Sequence, residues 1–574
     1  MQKGVLSLDK KTIIKTLEKI ALYMELQGEN PFKVSAFRKA AQVLELDDRS
    51  LSEMDNISSL KGIGAATGAV IEDLIVTGQS SLLIELQQTV PSGLLPMLKI
   101  PGLGGKKIAK LYKELHIDSI DALKLACEEG KVQSLPGFAK KSEEKILLEI
   151  VNLQSKPERT AVWQIEPIVE LIEQKLASIS LIDQYSVAGS FRRVKEASKD
   201  IDFIIATSSP LEVRESLLEV LPVKKIIAAG DTKVSVTLGG EVEIDVDFRL
   251  VQSHQYASAL NHFTGSKDHN IKMRQIAKDQ GKKISEYGVE LPDGSIEHFE
   301  SEEDFYAYFD LPFIPPTVRE DGSEFSKLDQ LPFLVNLPDI KGDFHMHSTW
   351  SDGAHSIEEM VEACRSKGYS HMVITDHSNY LKVANGLSKE RLLNQIEIIH
   401  GLNEKYTDIE ILTGTEMDIL PDGSLDFEDD VLAQLDFVIA SIHSSFSQPQ
   451  EKIMERLLNA LKNPHVHMIA HPTGRIIEQR DGYNPDVPTL IEWAKEHGKI
   501  LELNASPYRL DLNTEYLKLA QEKGVPIAIN TDAHHIDQLK YMDIGVRYAQ
   551  KAWLHKDNIV NTWSFEKFKK YIQK

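Results

Sequence analysis

Six short hydrophobic runs between residues 339 and 574 each end on a side chain that binds metals: Gly342-Asp343-Phe344-His345-Met346-His347, Val373-Ile374-Thr375-Asp376-His377, Ile411-Leu412-Thr413-Gly414-Thr415-Glu416, Val438-Ile439-Ala440-Ser441-Ile442-His443, Met468-Ile469-Ala470-His471 and Ile527-Ala528-Ile529-Asn530-Thr531-Asp532-Ala533-His534. Fourteen of the 19 histidines lie after residue 338, and imidazole is the commonest metal ligand. The only cysteines, Cys127 and Cys364, fall in different regions, so a metal centre here must use histidine and carboxylate. A second pattern is acidic: Asp200-Ile201-Asp202, and later Asp245-Val246-Asp247. Alternation along a strand sends residues i and i+2 to one face, so each pair can hold divalent ions together. Phosphoryl transfer needs such a cluster, because two metals about 3.5–4 Å apart activate the attacking oxygen and neutralise the leaving pyrophosphate. Ser190 and Arg193, just past Gly189, would grip the triphosphate, with the arginine acting as a bidentate fork. The plainer alternative is two solvated aspartate pairs at strand ends.

The elements that must position these groups differ along the chain. After residue 338 helix-like segments separate the runs, so strand and helix alternate, and a barrel of strands delivers its C-terminal side chains to one pocket. From about 160 to 320 the pattern is mixed, with strand-like stretches at Tyr185–Ala188, Ile201–Ile205, Lys233–Thr237 and Val242–Asp247. Residues 1 to about 155 read as short helices, with Ile13, Ile14, Leu17, Ile20, Ala21 and Met24 at helical spacing. Pro312, Pro315, Pro316, Pro332 and Pro338 mark a linker into the last region.

Within the helical region, Leu60-Lys61-Gly62-Ile63-Gly64 and Ile100-Pro101-Gly102-Leu103-Gly104 match helix-hairpin-helix turns, and Leu135-Pro136-Gly137-Phe138-Ala139 is a third, weaker copy. Glycines let the backbone approach a phosphate, and the next helix points its N–H groups at it. Gly62, Gly64, Gly102, Gly104 and Lys106 are therefore candidate DNA contacts, with Lys107 and Lys110 adding charge. A tight turn between packed helices is the alternative, and it is the preferred reading for the third segment.

At 574 residues the chain should hold about four domains, and 42% hydrophobic content suffices for ordinary cores. No apolar run approaches the roughly 20 residues of a membrane helix, and Met-Gln-Lys-Gly-Val lacks a signal-peptide core, so a cytoplasmic location is expected. The net charge of −22 argues against a polyanionic partner if taken whole. It is spread evenly, however, with 25 Lys+Arg against 36 Asp+Glu in residues 339–574 and 40 against 51 before them. Local patches must decide, and Lys267, Lys272, Arg274, Lys278, Lys282 and Lys283 form one.

Residues 1 to about 315 resemble a family X DNA polymerase, similar in domain order to polymerase beta. The likeness rests on Gly189-Ser190 with Arg193, Asp200-Ile201-Asp202, Asp247-Phe248-Arg249, and His262-Phe263-Thr264-Gly265-Ser266 followed by Asn270-Ile271-Lys272-Met273-Arg274. It implies that Asp200, Asp202 and Asp247 are catalytic and bind two metals, magnesium or manganese, with Asp245 a spare. Phe263 and Gly265 would face the incoming nucleotide, and Asn270 and Arg274 the minor-groove side of the nascent pair. Two departures stand out. His262 replaces an aromatic residue of animal members, so rejection of ribonucleotides does not carry over. Val70 falls where those members carry a Schiff-base lysine, and a valine is no nucleophile, so no lyase reaction is expected there. Lys33, Phe37 and Arg38 are the candidates for a 5′-phosphate pocket.

Residues 339–574 resemble the polymerase and histidinol phosphatase (PHP) domain, a distorted β/α barrel with up to three ions, manganese or zinc. His345-Met346-His347, Asp352, His377, Glu416, His443, His471 and Asp532-Ala533-His534 fall in that family's order. The resemblance assigns His345, His347, Glu416 and Asp532 to one ion, and His377 and His443 to a neighbour sharing Glu416. Asp352, His471 and His534 complete the third. His355, His465, His467 and His535 receive no metal, while Arg475 and Arg509 are candidates for holding a substrate phosphate. Such a cluster lowers the pKa of a bridging water and clamps the scissile phosphate for ester hydrolysis.

Together the resemblances imply a multidomain chain: an N-terminal helical domain (1–85), helix-hairpin-helix fingers (86–157), an α+β nucleotidyltransferase palm (158–250), a thumb (251–318), a linker (319–338) and the PHP barrel (339–574). They imply a monomer that fills gaps in DNA during repair, taking gapped or primed DNA and deoxynucleoside triphosphates. It would also carry a 3′-to-5′ exonuclease, with cutting at abasic sites or removal of 3′-phosphates as further activities. One alternative keeps the polymerase and makes the barrel a structural or DNA-docking module. Another is a small-molecule phosphatase fused to a nucleotidyltransferase, against which the hairpin turns and Asn270 to Arg274 argue.

Overall fold

The computed structural model describes residues 10–46, 57, 60, 62–98, 100, 103–155, 159–240 and 242–573. The chain divides into two compact units, residues 1–158 and 159–574. The first is helical, with helices at Lys10–Gln27, Pro31–Leu46, Ala65–Thr77, Ser81–Thr89, Gly105–Leu115, Ile120–Glu128 and Lys140–Ser155. Its core is the apolar stripe of the first helix, where Ile13, Leu17, Ile20 and Ala21 are wholly buried with Ile108 and Leu111.

The second unit contains two sheets that position chemistry. A five-stranded mixed sheet is built from β1 (Gln184–Val187), β2 (Asp200–Ala206), β3 (Val223–Ala229), β4 (Lys233–Leu238) and β5 (Ile244–Val251), in the order β1-β2-β5-β4-β3. The central neighbours β2 and β5 run parallel, and Phe203 stacks on Phe248 between them at 5.7 Å. Edge strand β3 was not anticipated: Lys224 to Ala229 are all exposed and show no buried alternation.

Seven parallel strands in chain order form the second sheet: β6 (Gly342–Asp343), β7 (His371–Ile374), β8 (Glu410–Asp418), β9 (Phe437–Ser441), β10 (Met468–Ile469), β11 (Ile500–Asn504) and β12 (Ile527–Asn530). A parallel bridge between Met346 and Ala533, with His347 N donating to Ala533 O at 2.8 Å, brings the two ends together as a distorted barrel. Its strands are continuous apolar runs because they are covered on both faces. Phe344, Val373, Leu412, Phe437, Ile439, Met468, Ile500 and Ala528 form an inner cluster that Phe568 of the last helix, Phe565–Ile572, plugs by stacking on Phe344 at 4.4 Å. The proline-rich stretch expected as a linker is an ordered strap of short turns: Arg319 is fully buried against Glu302 (2.8 Å), and Val335 O accepts from Gln550 Nε2 (2.9 Å). No helix among the described residues is long and apolar enough to cross a membrane.

Candidate active sites

All nine ligand-type residues expected in the barrel gather at the C-terminal ends of its strands. Three groups have ligand atoms mutually within 4.8 Å: His345, His347, Glu416 and Asp532; His377, Glu416 and His443; and His347, Asp352, His377 and His534. Glu416 is the hub, with Oε2 3.3 Å from His345 Nε2 and 3.0 Å from His377 Nδ1, and Oε1 3.1 Å from His443 Nε2. The first two groups coincide with the expected assignment, but the third differs. His471 does not join Asp352 and His534; its Nε2 lies 2.8 Å from Glu416 Oε1. The strand order explains this, since β10 neighbours β9 and β11 while Asp352 and His534 follow β6 and β12. His471 and Asp532 hold their backbones in the left-handed region at φ 26° and 54°, an uncommon state that marks a functional constraint.

Behind these side chains stands a layer that the sequence pattern did not reveal. Glu502 Oε1 lies 2.7 Å from His345 Nδ1, Asp418 Oδ1 lies 3.1 Å from His443 Nδ1, and Asp376 accepts from Ser348 N (2.8 Å) and Gln395 Nε2 (2.6 Å). Glu502 and Asp418 in such positions fix the tautomer and orientation of His345 and His443, while Asp376 holds the turn at Ser348. Burial, reinforced by His534 and His377, brings His347 down to about 3, so its ring is neutral. Burial works against a charge on His443, but Glu416 and Asp418 push that ring up to about 10.

The cluster fits divalent cations. The buried ring atoms His345 Nε2, His347 Nδ1 and His377 Nδ1 face carboxylate oxygens at 3.3, 4.0 and 3.0 Å without hydrogen-bond geometry, an arrangement that a bound cation satisfies. Imidazole nitrogens with carboxylate oxygens are the donor set of such ions. The four histidines left without a metal stay out of these groups; His467, for example, accepts from Val438 N at 3.0 Å.

The two arginines have different surroundings. Arg509 faces the cluster, its Nε 3.7 Å from Asp532 Oδ2 and its buried Nη1 unpartnered. Arg475 is committed elsewhere: Nη2 lies 2.9 Å from Glu196 Oε1, and Nε donates to Arg509 O at 2.9 Å. The expectation that Arg475 holds a substrate phosphate is corrected on that ground.

In the mixed sheet the register places Asp200 opposite Asp245 and Asp202 opposite Asp247 on the parallel pair β2 and β5. Burial, with Asp200 and Asp247 nearby, pushes Asp202 up to about 6. Asp200, Asp202 and Asp247 do not close to the mutual spacing of the barrel groups, since Asp247 turns to Lys233 Nζ (2.7 Å) and Ser235 Oγ (2.6 Å). Gly189 sits against them with φ 61°, where a Cβ would meet Asp202 Oδ2 at 2.2 Å. Ser190 Oγ donates to Ser198 Oγ at 2.8 Å, and Arg193 Nη1 donates to Thr264 O beside Gly265. Phe263 lies under the Arg249 guanidinium at 4.7 Å, its edge toward His262. Asn270 Nδ2 donates to His262 O at 2.8 Å, and Arg274, one helical turn later, is exposed. A donor that sequence reasoning overlooked is Arg192, held by Thr264 Oγ1 (2.8 Å) and Glu302 (2.7 Å).

In the helical unit, Ile63 N donates to Leu60 O and Leu103 N to Ile100 O, both at 3.0 Å. Gly64 and Gly104 then cap the following helices with nearly identical φ/ψ of −87°/169° and −87°/168°. Lys106 is exposed, and Gly62 adopts φ 116°. Lys61, Pro101 and Gly102 lie outside the described residues. The third turn closes with the same bond, Phe138 N to Leu135 O, and packs back on its neighbour, with Lys110 Nζ donating to Pro136 O at 2.6 Å. Val70 is half-buried against the helical core. Phe37 is a core residue, Arg38 is exposed and pairs with Glu25, and Lys33 is exposed beside Glu29.

A family model described as DNA polymerase beta thumb matches residues 259–320, and the PHP domain model matches 343–506. A helix-hairpin-helix domain matches 9–80, and a SAM-like helix-hairpin-helix tandem matches 94–152. The chain is 57% identical over 566 residues to the DNA polymerase/3'-5' exonuclease PolX of Bacillus subtilis (strain 168), covering 98% of this chain and 99% of that protein. A probable phosphatase of Caldanaerobacter subterraneus subsp. tengcongensis is 32% identical over 243 residues, 40% of this chain and 90% of that protein. One of Acetivibrio thermocellus is 30% identical over 242 residues, 40% of this chain and 95% of that protein.

Proposed function

The chain belongs to the family of the DNA polymerase/3'-5' exonuclease PolX, and on that footing we propose that it extends a DNA 3′ end at Asp200, Asp202 and Asp247 and hydrolyses one at the barrel cluster. The observation that carries this reading is the separation of two ligand sets on two sheets, aspartates on β2 and β5 and imidazoles with carboxylates at the barrel mouth.

Magnesium or manganese suits the all-oxygen aspartate site, and manganese or zinc, up to three ions, suits the barrel. Bound there, divalent cations neutralise developing phosphate charge and acidify water. The protein groups do the rest. Gly189 lets the chain pass against Asp202, and Ser190 and Arg193 bind the triphosphate. Phe263 and Gly265 bound the nucleotide, and Asn270 and Arg274 contact the new pair from one face of their helix. In the barrel Arg509 meets the scissile phosphate, while Glu502 and Asp418 orient His345 and His443. Gly62, Gly64, Gly102, Gly104 and Lys106 hold the phosphates of primed or gapped DNA, as a gap-filling repair enzyme requires. The barrel's likeness to probable phosphatases favours removal of 3′-phosphates as a second use of the same cluster.

The test is a pair of double variants assayed for primer extension and 3′-end degradation on gapped DNA. Asp200→Ala with Asp202→Ala should abolish incorporation and spare degradation, and His345→Ala with His347→Ala should do the reverse. One double variant silencing both activities would refute two independent sites.

A further inference from the structure

The segment joining β1 to β2 carries Gly189, Ser190 and Arg193, and its turn closes on itself where Val194 N donates to Phe191 O at 2.9 Å and Lys195 N to Ser190 O at 3.1 Å. Val194, buried and β-branched, sits at φ 53°, a region that such residues rarely adopt and that persists only where the surroundings impose it. Besides the contacts of Arg192 and Arg193 with Thr264 and of Glu196 O with Val162 N, a set of side chains braces the segment from the barrel side of the unit. On helix Tyr541–Lys551, Arg547 Nη2 donates to Arg192 O and Lys551 Nζ to Arg193 O, both at 3.0 Å, which flanks the strained residue from its N-terminal side. On the other side, Lys195 and Lys551 share the Glu320 carboxylate. Glu196 accepts from Arg475 Nη2 and Nη1, at 2.9 and 3.4 Å, and from the Tyr548 hydroxyl. Glu320 also closes the opposite wall of the nucleotide site, because its backbone oxygen accepts from Ser266 Oγ, next to Gly265.

We infer that the barrel module is a positioning partner of nucleotidyl transfer: Arg475, Arg547, Tyr548 and Lys551 hold residues 192–196 in the strained form that presents Ser190 and Arg193 to the triphosphate. This rests on the polymerase reading above. It is separate from hydrolysis, since none of these four residues belongs to the barrel's ligand groups. Loss of a brace lets Val194 relax to a favoured backbone region, and the grip on the triphosphate loosens with it. The chemistry of Asp200, Asp202 and Asp247 stays intact.

The experiment uses the full chain with Glu196→Gln, Lys551→Met and the charge-preserving Lys551→Arg. Single-nucleotide gap filling is measured against deoxynucleotide concentration, and 3′-end hydrolysis is measured in the same preparations. Glu196→Gln and Lys551→Met should each raise the nucleotide KM roughly tenfold while kcat stays within about threefold, as expected of coupled neighbours. Hydrolysis should be unchanged, and Lys551→Arg should recover most of the affinity. Nucleotide KM values equal to wild type, or parallel loss of incorporation and hydrolysis, would overturn the inference. A wild-type protein that incorporates nothing removes the polymerase reading and the brace with it, an outcome distinct from failure of the variants alone.

Discussion

Glu502 and His345 form a fully buried pair at the back of the barrel cluster, with Oε1 2.7 Å from Nδ1. The contact settles which ring nitrogen faces forward: His345 Nε2 lies 3.3 Å from both Glu416 Oε2 and Asp532 Oδ1. Glu502 also accepts from His471 N at 2.6 Å and from Asn530 Nδ2 at 3.0 Å, so one carboxylate ties together the exits of β6, β10 and β12. Glu502→Gln keeps the size and removes the charge. It should weaken metal binding and 3′-end hydrolysis by about 10- to 100-fold while leaving nucleotide incorporation intact. Metal titration and hydrolysis on the same sample check this, and an unchanged metal affinity would show that Glu502 is only a core residue.

Gly189 offers a steric test of the other site. A methyl group there would stand 2.2 Å from Asp202 Oδ2 on a backbone with φ 61°. Either Asp202 or the segment before Arg193 must move, and a shift of about 1 Å at reacting groups costs on the order of 100-fold in rate. Gly189→Ala should therefore lower primer extension by at least that factor, with 3′-end degradation at the wild-type rate as the internal control.

How much of this was legible in the sequence depended on whether a signal was local. Strands β7, β9 and β12 are apolar runs buried on both faces and ending on His or Asp, so pattern alone exposed them and their ligands. Strand β11 was missed because Ile500-Leu501-Glu502-Leu503-Asn504 has an acid at its centre and no histidine at its end. Glu502, buried inside, went with it. The i, i+2 aspartates were readable from strand periodicity, and the register of β2 and β5 pairs them as that argument requires. The bond between Glu196 and Arg475 was not readable, since 279 residues separate its partners. Nothing local in either segment announces the other, and Arg475 in isolation looks like a phosphate ligand.

Glu166 gives a pH-dependent prediction away from both metal sites. It lies on helix Val162–Ala177, and burial, with help from Glu170 and against Lys540 and Arg547, pushes its carboxyl up to about 7. The folded state thus holds this proton more tightly than the unfolded chain. The stabilisation is complete below about pH 4.5 and is lost as pH rises through about 7. Glu166→Gln, a permanent mimic of the protonated acid, should raise stability at pH 8 by on the order of 1 kcal/mol after allowance for solvent screening, with no gain at pH 4.5. Melting curves at the two pH values test the sign; an equal effect at both would mean that the carboxyl titrates normally.

Metal removal should be visible in stability as well as in activity. Glu416 is buried and Asp532 largely so, their charge is tolerated because imidazoles surround them, and several of those ring nitrogens lack hydrogen-bond geometry. Cations at the three ligand groups satisfy those nitrogens, and anything that binds only the folded state stabilises it, by about 2.7 kcal/mol at a concentration 100 times Kd. A chelator should then lower the melting temperature by a few degrees, at about 1–2 °C per kcal/mol for a unit larger than 250 residues. Manganese or zinc should restore it. His345→Ala with His347→Ala should shrink the difference between chelated and metal-supplied protein, because the group of Glu416 and Asp532 loses two of its four ligands while His377, Glu416 and His443 keep theirs. A wild-type melting temperature indifferent to chelator would mean that the imidazoles and carboxylates satisfy one another without an ion, and the hydrolytic assignment of the barrel would fall.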